Sequence, residues 1–426
     1  MQKTLAQWLE YIEQQHPRSV ELGLDRMRVV AQRRGLTRPA RKVITVGGTN
    51  GKGSTVAFIE AIARAAGWRV GAYTSPHLLA YNERVRIDGC DAGDDDLVAG
   101  FEAVDAARGD TPLTYFEYGT LAALWLFERE ALHLAVLEVG LGGRLDSVNL
   151  VDADVAVITT VDIDHVDYLG PDRDAIGFEK AGIARAWKPL VLGDDDPPAS
   201  VLRHAYAIGA SAVRARCDFF FEPLGDGQWL WREVGKQFRL PMPALAAPSQ
   251  LRNAATAIAA LRALGKPLPP QAIADGVVAA HAPGRLQRFE RDGVAVLVDV
   301  GHNPQAAREL ASWLHASPVA GRTLAVFAAL ADKDVVGVVT ALAGEVDAWF
   351  LAGLEEAGRR GQAVDDFGAR LAGTAAAGAV HHASVGQALA AALAQAGQDD
   401  RVLVFGSFHT AAAALQALRD GRAERV

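Results

Sequence analysis

The sequence predicts an α/β protein. Its first part forms a doubly wound, mostly parallel sheet that carries a P-loop-like turn, and a smaller C-terminal Rossmann-like α/β unit follows. Three observations lead to this prediction. A glycine-rich loop lies between a β-branched run and an amphipathic helix at residues 41–66. Short apolar strands then alternate with alanine-rich helices, and the same alternation restarts after residue 284.

The glycine-rich loop is Gly-Thr-Asn-Gly-Lys-Gly-Ser at residues 48–54. Its backbone N–H groups, the positive end of the following helix and the Lys52 ammonium favour a polyphosphate, so we expect ATP or GTP to bind. The strict P-loop pattern would need glycine at Val46 and a hydroxyl at Gly53, whereas the hydroxyls come one or two places later. A plain glycine-rich turn before a helix is the alternative interpretation.

Further strands are predicted in the first part of the chain, at residues 69–74, 132–139, 155–161 and 189–192. Predicted helices include residues 4–15, 54–66, 120–130 and 251–264. Residues 212–240 differ because they are rich in aromatic side chains, and Gly225-Asp226-Gly227 marks a hairpin turn. This segment therefore predicts a small antiparallel patch.

A domain boundary is expected near residues 281–284, and an α/β unit of its own follows. Its predicted strands are residues 294–299, 323–328, 346–351 and 401–405, and its predicted helices include 304–315 and 385–396. We therefore expect an ATP-binding domain over residues 1–282 and a second domain over 283–426.

Composition excludes several classes of protein. The 426 residues carry a net charge of −8 without a long basic run, which argues against nucleic acid as a partner. Cys90 and Cys217 match neither a metal site nor a disulfide framework, which suits a reducing cytoplasm. No segment is long and apolar enough to span a membrane, and the N-terminal helix does not resemble a signal peptide. We expect a cytoplasmic monomer.

Ligand-type side chains follow three successive strands: Ser75, Glu138 and His165. Ligands bind beyond the carboxyl ends of strands in open α/β sheets, and a carboxylate there often holds Mg²⁺. A metal would also offset the cost of burying Glu138 after an apolar strand. The alternatives are a Ser-Pro turn, a structural salt bridge and a structural histidine.

Three more segments carry charged side chains whose role the residue types alone do not decide. Arg84 and Arg86 alternate in residues 82–87 and either meet an anionic substrate or face solvent. Lys180, among small residues, suits a phosphate or a carboxylate. In the second domain, Arg285 precedes a strand that ends at Asp299-Val300-Gly301-His302. Both domains thus present polar groups at strand ends, and we expect the active site in a cleft between them.

The motifs as a set resemble a known family. In order, they are Gly-Thr-Asn-Gly-Lys-Gly-Ser, Ser-Pro-His-Leu, Asn-Glu-Arg-Val-Arg, Glu-Val-Gly-Leu-Gly-Gly-Arg-Leu-Asp, Asp-His, Glu-Lys-Ala-Gly-Ile and His-Asn-Pro. This set is similar to the folylpolyglutamate synthase family, which belongs with the Mur ligases, and within it to the members that are also dihydrofolate synthases. The motifs spread across nearly the whole chain.

The resemblance implies an ATP-dependent amide ligase. The acceptor carboxylate, on dihydropteroate or a reduced folate, attacks the γ-phosphorus of ATP and forms an acyl phosphate and ADP. The amine of L-glutamate then attacks the acyl carbon, and phosphate leaves. Mg²⁺, a phosphate cradle and a lysine are what such phosphoryl transfer requires.

The resemblance also implies roles residue by residue. The phosphate loop corresponds to Asn50, Gly51, Lys52, Gly53 and Ser54. The magnesium ligands correspond to Ser75, Glu138, His165 and Lys180. Family members carry the last of these as an N6-carboxylysine. Further ATP contacts correspond to Asn253, Arg285 and Asp299. The candidate catalytic residues are Lys52, Lys180 and His302.

The acceptor site is implied by three segments, at Leu22, Gly23 and Leu24, at Thr114, Tyr115, Phe116 and Glu117, and at Asp146 and Ser147. Phe116 is expected to stack on the pterin ring. Small departures from the family pattern occur beside contact residues, at 147–148, Gly301 and Leu286. The remaining alternatives are a folylpolyglutamate synthase without the first activity, a Mur-type ligase and a nucleotide sensor without ligase chemistry.

Overall fold

The computed structural model describes residues 3–18, 20–420 and 424–425. The chain folds into two compact units, each with its own large sheet. The first unit comprises Met1–Ala244 and Gln250–His281, and the second comprises Leu245–Ser249 and Ala282–Val426. The predicted α/β class is confirmed for both units.

Helices and strands alternate along most of the first unit. The helices are α1 (Leu5–Glu13), α2 (Asp25–Arg34), α3 (Lys52–Ala65), α4 (Asp94–Arg108), α5 (Tyr115–Arg129), α6 (Val166–Leu169), α7 (Arg173–Ala181), α8 (Ala199–Ile208), α9 (Ser249–Ala263) and α10 (Pro270–Ala279). The strands are β1 (Lys42–Gly47), β2 (Val70–Tyr73), β3 (Val85–Ile87), β4 (Cys90–Asp91), β5 (Leu134–Glu138), β6 (Val155–Ile158), β7 (Pro189–Leu192), β8 (Ser211–Arg214), β9 (Phe219–Gly225), β10 (Gln228–Glu233) and β11 (Lys236–Pro241). Short 3₁₀ helices lie at Tyr81–Arg84 and Ser147–Leu150.

The large sheet of the first unit has the strand order β4-β3-β2-β5-β1-β6-β7-β8. The six strands from β2 to β8 in this order pair in parallel, and β3 and β4 add an antiparallel edge. Every residue of β5 and β6 is buried, as expected for strands covered by helices on both faces. In the register of β1 and β5, Val46 lies opposite Glu138, so the loop after β1 begins beside that carboxylate.

Two helices begin earlier than the apolar pattern predicts. Helix α3 starts at Lys52 because Gly51, with φ of 85°, adopts the left-handed conformation that allows a sharp entry into the helix. Helix α5 starts at Tyr115, well before the predicted residue 120. There Thr114 and Glu117 form a reciprocal capping box, a Thr-x-x-Glu pattern that the sequence contains ahead of the apolar run.

The predicted antiparallel patch is a three-stranded sheet with the order β11-β10-β9. Its first turn carries positive φ at Gly225, Asp226 and Gly227, as the hairpin prediction requires. The predicted patch began at residue 212, but β8 pairs in parallel with β7 and extends the large sheet. The antiparallel sheet therefore begins only at Phe219.

The second unit repeats the α/β alternation that its sequence predicts. Its helices are α11 (Pro304–Ala316), α12 (Val335–Leu342), α13 (Val364–Arg370), α14 (Val385–Gln395) and α15 (Phe408–Asp420). Its strands are β12 (Gln287–Arg291), β13 (Val294–Val298), β14 (Thr323–Phe327), β15 (Ala348–Ala352), β16 (Val380–His382), β17 (Arg401–Phe405) and β18 (Glu424–Arg425). The sheet order is β16-β15-β14-β17-β13-β12-β18, with parallel pairing from β16 to β13 and antiparallel pairing around β12.

Two further sequence features can be compared with the fold. Within residues 3–18, 20–420 and 424–425, no helix combines the length and apolar character that crossing a membrane requires. Cys90 and Cys217 are both exposed and both unpaired as thiols.

Candidate active site

The loop between β1 and α3 is fixed by glycine conformations that other residues would not adopt. Gly48 has φ of 144° and packs against the Thr159 side chain so closely that a β-carbon would overlap its hydroxyl. A β-carbon on Gly51 would meet the Asn253 Oδ1 at 2.6 Å. The loop therefore keeps an open, left-handed path, and Asn253 from α9 lies directly against it.

The end of β6 holds the other side of this loop. The Thr49 N–H donates to the Thr160 carbonyl at 2.7 Å, and the Asn50 N–H donates to the Thr160 hydroxyl at 3.1 Å. The Thr159 hydroxyl donates to the Asn50 carbonyl at 2.6 Å. Sequence reasoning did not identify these two threonines, although a pair of hydroxyls at a predicted strand end was a visible signal.

Two lysines converge on one carbonyl of the loop. Lys52 Nζ donates to the carbonyl oxygens of Gly48 and Thr49, at 3.1 and 3.2 Å. Lys180 Nζ, carried by α7, donates to the same Gly48 carbonyl at 3.0 Å. The structure thus joins Lys180 to the phosphate loop, from which it is separated by more than a hundred residues.

Lys180 occupies an environment that disfavours its charge. Only 4% of the residue is exposed. Burial, together with the nearby Lys52 charge, lowers the pKa of Lys180 to about 7, although Asp164 and Asp146 oppose part of that change. A large fraction of this amine is therefore neutral near pH 7, unlike an ordinary lysine.

Two of the predicted metal ligands lie side by side. The Ser75 N–H donates to the Glu138 Oε2 at 3.1 Å, and Glu138 is 4% exposed. Their strands β2 and β5 are parallel neighbours, which brings both strand ends to one edge of the sheet. A buried carboxylate beside a serine provides oxygen atoms of the kind that a hard divalent cation prefers.

His165 follows β6 at the same edge of the sheet. It is the residue directly before α6 and has φ of 53°, and its N–H donates to the Asp164 Oδ1 at 2.9 Å. Its Nε2 lies 3.9 Å from the Asp164 Oδ2, within ion-pair range when the ring is protonated. About a third of the side chain is exposed.

A divalent metal ion would fit this donor set if phosphate oxygens and water completed its coordination shell. Within the described part of the chain, no group of three or more His, Cys, Asp and Glu side chains is arranged to hold a metal. A site with few carboxylates is what Mg²⁺ uses when phosphate oxygens complete its shell. The buried hydroxyls of Ser54 and Thr55, at the start of α3, have no hydrogen-bond partner among the described residues. They are candidates for contact with a bound ligand.

The three segments predicted for the acceptor are tied to one another. The Gly23 N–H donates to the Leu145 carbonyl at 3.2 Å, which joins the 22–24 segment to the 146–147 segment. Arg26 Nη2 donates to the Glu117 Oε1 at 2.9 Å, and its Nη1 contacts the Glu21 Oε1 at 2.5 Å. Arg26, which sequence reasoning missed, thus joins the first segment to the start of α5.

The side chains of these segments differ in their packing and in their hydrogen bonds. The Phe116 ring lies against Gly140, where an added β-carbon would come within 2.6 Å of it. The centroids of the Phe116 and Tyr73 rings are 5.9 Å apart. Asp146 accepts from the backbone N–H groups of Leu141 and Val148, at 2.8 and 3.1 Å, and burial raises its pKa to about 6. Ser147 is buried as well.

Glu117 is buried, and both of its carboxylate oxygens have partners within the protein. Oε1 accepts from Arg26, and Oε2 accepts from the Thr114 N–H at 2.8 Å. Its geometry is that of a residue that positions the segment. Tyr115 and Phe116, which follow the capping residue Thr114, present the aromatic rings.

The predicted nucleotide residues of the second unit gather around the end of β13. Asp299 accepts from the N–H groups of Leu286 and Gly301, at 2.8 and 2.6 Å. Burial raises the pKa of Asp299, and the nearby Arg285 charge partly offsets that effect. The His302 Nδ1 lies 2.9 Å from the Val300 carbonyl, so it carries the proton that this hydrogen bond needs.

An aromatic ring accompanies this cluster. The Arg285 guanidinium carbon lies 5.3 Å from the Phe408 ring centroid. The centroids of the His302 and Phe408 rings are 6.5 Å apart. Phe408 begins α15, after β17, which is the parallel neighbour of β13. The cluster thus combines a cation, an imidazole, a carboxylate and a flat apolar surface.

Comparison with known proteins agrees with this architecture. Residues 46–260 match the Mur ligase middle domain, and residues 284–408 match the Mur ligase, glutamate ligase domain. The dihydrofolate synthase/folylpolyglutamate synthase of Escherichia coli (strain K12) is 45% identical over 415 residues, covering 97% of this chain and 95% of the relative. The protein of that name from Haemophilus influenzae is 42% identical and covers 96% of both chains.

Solved structures give the same result. The structure of E. coli FolC in complex with DHPP and ADP has a TM-score of 0.93 and 44% identity, covering 99% of both chains. A bifunctional folylpolyglutamate synthase/dihydrofolate synthase with Mn, AMPPNP and L-glutamate bound has a TM-score of 0.90 and 44% identity, covering 98% of both chains. This chain belongs to the dihydrofolate synthase/folylpolyglutamate synthase family of Mur ligases.

Proposed function

We propose that this protein is a bifunctional ATP-dependent ligase that joins L-glutamate to dihydropteroate, forming dihydrofolate, and to tetrahydrofolate, forming its polyglutamates. The observation that carries the proposal is the convergence of Lys52 and Lys180 on the Gly48 carbonyl, in the unit that also pairs Ser75 with Glu138. This arrangement suits transfer of a phosphoryl group to an acid. Family membership supports glutamate as the amine.

The phosphate loop binds ATP in this proposal. The N–H groups of residues 51–54 and the positive end of α3 face the phosphates, and Lys52 adds a full positive charge. The Asn50 N–H holds the loop to the Thr160 hydroxyl, so the contact proposed for Asn50 is through its side chain. Asn253 contacts the nucleotide from α9, next to Gly51. Arg285, Asp299 and His302 of the second unit are proposed as further contacts of ATP, with Phe408 as an apolar surface beside them.

Ser75, Glu138, His165 and Lys180 would hold a divalent metal, proposed as Mg²⁺. When bound, the ion would offset the negative charge that accumulates on the phosphate oxygens during transfer. The chain's own contribution is to keep the Glu138 carboxylate at a fixed position through the Ser75 N–H.

We also propose that Lys180 carries a carboxyl group on its side-chain nitrogen. The reaction with CO₂ needs a neutral amine, and burial provides it by lowering the pKa of Lys180 to about 7. The resulting carbamate would be an anion in place of a cation near the metal. Incubation with ¹³C-bicarbonate should give a carbamate carbon signal that Lys180→Met lacks, and an equal signal in both proteins would contradict the assignment.

The acceptor is proposed to bind with its pterin ring on Phe116, beside Asp146 and the 22–24 segment. Its carboxylate attacks the γ-phosphorus of ATP, and the bond to ADP breaks. The neutral amine of L-glutamate then attacks the acyl carbon of the acyl phosphate. Phosphate leaves, and the amine proton passes to solvent or a nearby base.

The surroundings in which the enzyme acts are part of the proposal. ATP as co-substrate and the two exposed thiols, Cys90 and Cys217, suit a reducing cytoplasm. A monomer is proposed because the sequence shows no coiled-coil pattern. Neither nucleic acid nor a membrane is among the proposed partners.

ADP release tests the function directly. With ATP, Mg²⁺ and L-glutamate, both dihydropteroate and tetrahydrofolate should stimulate ADP formation and yield glutamylated products. Activity with tetrahydrofolate alone would select a folylpolyglutamate synthase without the first activity. Dependence on a UDP-sugar peptide would select a Mur-type ligase, and ADP formation that ignores glutamate would select a nucleotide sensor.

The substitution Lys52→Ala tests the proposed role of the phosphate loop in phosphoryl transfer. Loss of a charge facing the transferred phosphoryl group is expected to lower turnover on the order of 10²-fold or more. Arg203→Gln, which removes an exposed charge on α8, is the control and should keep wild-type turnover. Near-normal turnover of Lys52→Ala would contradict the proposed role of the loop.

A further inference from the structure

Arg84 is a buried cation for which the described part of the protein supplies no counter-charge. The residue closes the 3₁₀ helix Tyr81–Arg84 and is only 9% exposed. Its Nε donates to the His77 Nδ1 at 2.8 Å. Its two terminal nitrogens, Nη1 and Nη2, make no hydrogen bond to any described residue, and neither is sealed off from solvent.

The polar side chains around Arg84 in sequence have partners of their own. The Glu83 carboxylate accepts from the N–H groups of Leu78, Leu79 and Ala80, at 2.7, 2.8 and 2.9 Å. Arg86 donates from Nε and Nη2 to the Glu60 Oε2, at 3.0 and 2.6 Å. The two arginines that alternate in the sequence therefore differ, because one has a buried carboxylate partner and the other does not.

The described side chains that contact the Arg84 guanidinium are an imidazole and two phenol rings. His77 accepts through Nδ1, which places its proton on Nε2 and leaves the ring uncharged in this hydrogen bond. The rings of Tyr81 and Tyr115 lie 5.3 and 5.6 Å from the guanidinium carbon. Burial raises the pKa of Tyr73 to about 12, so the neighbouring phenol is also uncharged at pH 7.

Such an environment favours an anion that arrives with a ligand. Aromatic faces attract a cation but do not replace a counter-charge, and burial of an unmatched charge is unfavourable. The planar guanidinium also presents its terminal N–H groups in the geometry that a carboxylate accepts.

The position of Arg84 indicates which anion it meets. The Thr74 N–H donates to the Arg84 carbonyl at 2.9 Å, and the next residue, Ser75, contacts Glu138. On its other side the guanidinium lies over Tyr115, the neighbour of Phe116. Arg84 therefore lies between the Ser75 strand end and the segment proposed to hold the acceptor.

We propose that Arg84 binds the acceptor carboxylate that becomes phosphorylated, through Nη1 and Nη2. This inference rests on the proposed function for the identity of the acceptor. Dihydropteroate has a single carboxylate, and the corresponding group of tetrahydrofolate is the terminal γ-carboxylate. Arg84 orients this group toward the γ-phosphorus while one carboxylate oxygen forms the new P–O bond and ADP departs with the electrons of the old one.

Binding of an acid and its neutral analogue tests the inference without turnover. Dihydropteroate and the analogue whose carboxylate is replaced by a carboxamide are titrated into the protein by calorimetry, with a non-hydrolysable ATP analogue present. Wild type should prefer the acid. Arg84→Gln should bind the acid on the order of 10- to 100-fold more weakly and the amide about equally, because only the acid loses a charge-assisted pair.

Two further variants keep the result interpretable. Arg203→Gln removes the same charge from an exposed site on α8 and should keep the full preference for the acid. Arg84→Lys retains the charge without the planar fork and should keep part of the preference, which makes it the test if Arg84→Gln does not fold. Unchanged ADP affinity would show that the nucleotide site is intact in each variant.

The outcomes separate the inference from the proposed function. If wild type binds both ligands and Arg84→Gln keeps the preference for the acid, the role of Arg84 is wrong while the function stands. If Arg84→Lys, used in its place, binds both ligands as wild type does, the role of Arg84 is likewise wrong. If wild type binds neither ligand, the acceptor itself is wrong and both proposals fail.

Discussion

The pair formed by Arg26 and Glu117 gives a prediction that combines stability with acceptor binding. Glu117 is buried, with 2% of its side chain exposed, and the Arg26 side chain is 21% exposed. Their contact of 2.9 Å joins the start of α2 to the start of α5. We expect loss of either side chain to loosen the 22–24 segment from the start of α5.

The two single substitutions should have unequal effects. Arg26→Gln leaves the Glu117 charge buried, with only the Thr114 N–H as its partner among the described residues, and breaking such a pair costs about 3 kcal/mol. Glu117→Gln leaves Arg26 still paired with Glu21, so we expect about 1.5 kcal/mol, the value of one charge-assisted hydrogen bond. The double variant should lose less than the sum of the two.

Urea unfolding and local hydrogen exchange measure these differences. Exchange in α2 and at the start of α5 should accelerate more in Arg26→Gln than in Glu117→Gln, and the KM for dihydropteroate should rise while the affinity for ADP stays constant. Arg28→Gln is the matched control, since Arg28 is paired with Asp25 at an exposed position and should contribute less than about 0.5 kcal/mol.

The reasoning would be refuted by equal losses in Arg26→Gln and Arg28→Gln, or by additive effects in the double variant. Either result would mean that the buried carboxylate does not depend on Arg26. A lower affinity for ADP in Arg26→Gln would show instead that the change spreads beyond the acceptor segments.

Three more predictions concern the remaining parts of the first unit. Gly51→Ala places a side chain at φ of 85° against the Asn253 amide, so ADP affinity should fall at least about tenfold without loss of the fold, and unchanged affinity in calorimetry would argue against that contact. The raised pKa of Asp146, about 6 in the folded protein, means that the folded state holds its proton more tightly, so stability should fall as pH rises from about 4 to 6. In urea unfolding this decline should be smaller in Asp146→Asn, and an equal decline in both proteins would contradict the role of Asp146. Phe116→Ala, which uncovers Gly140, should raise the KM for dihydropteroate about tenfold while the KM for ATP stays constant, and equal changes in both constants would contradict the stacking role.

Much of the fold follows from local sequence patterns. The apolar runs predict β1, β5, β13 and β17 to within one or two residues, because a buried parallel strand needs continuous apolar side chains. The predicted start of helix α5 was five residues too late, because the prediction followed the apolar run and did not use the capping box that precedes it. The predicted antiparallel patch started too early, since the parallel pairing of β8 depends on a distant strand.

Some residues of the candidate site could be predicted from the sequence, and others could not. Ser75 and Glu138 were expected together because parallel strands end at one edge of a sheet, and the structure places them 3.1 Å apart between backbone nitrogen and carboxylate oxygen. Arg26 could not be found from sequence, since its partner Glu117 lies ninety-one residues away. Thr159 and Thr160 were visible as hydroxyls at a strand end, but their contacts with Asn50, more than a hundred residues away, appear only in the structure.

The sequence by itself determined the α/β class, the glycine loop and the strand ends that carry polar side chains, because these depend on spacing and residue type along a short stretch of chain. Only the tertiary structure decided which charges are matched. It placed Lys180 on the Gly48 carbonyl, paired Arg86 with Glu60 and left Arg84 among neutral rings. The partner of each charge depends on which groups, distant in sequence, are buried next to it, and a local sequence pattern does not determine this.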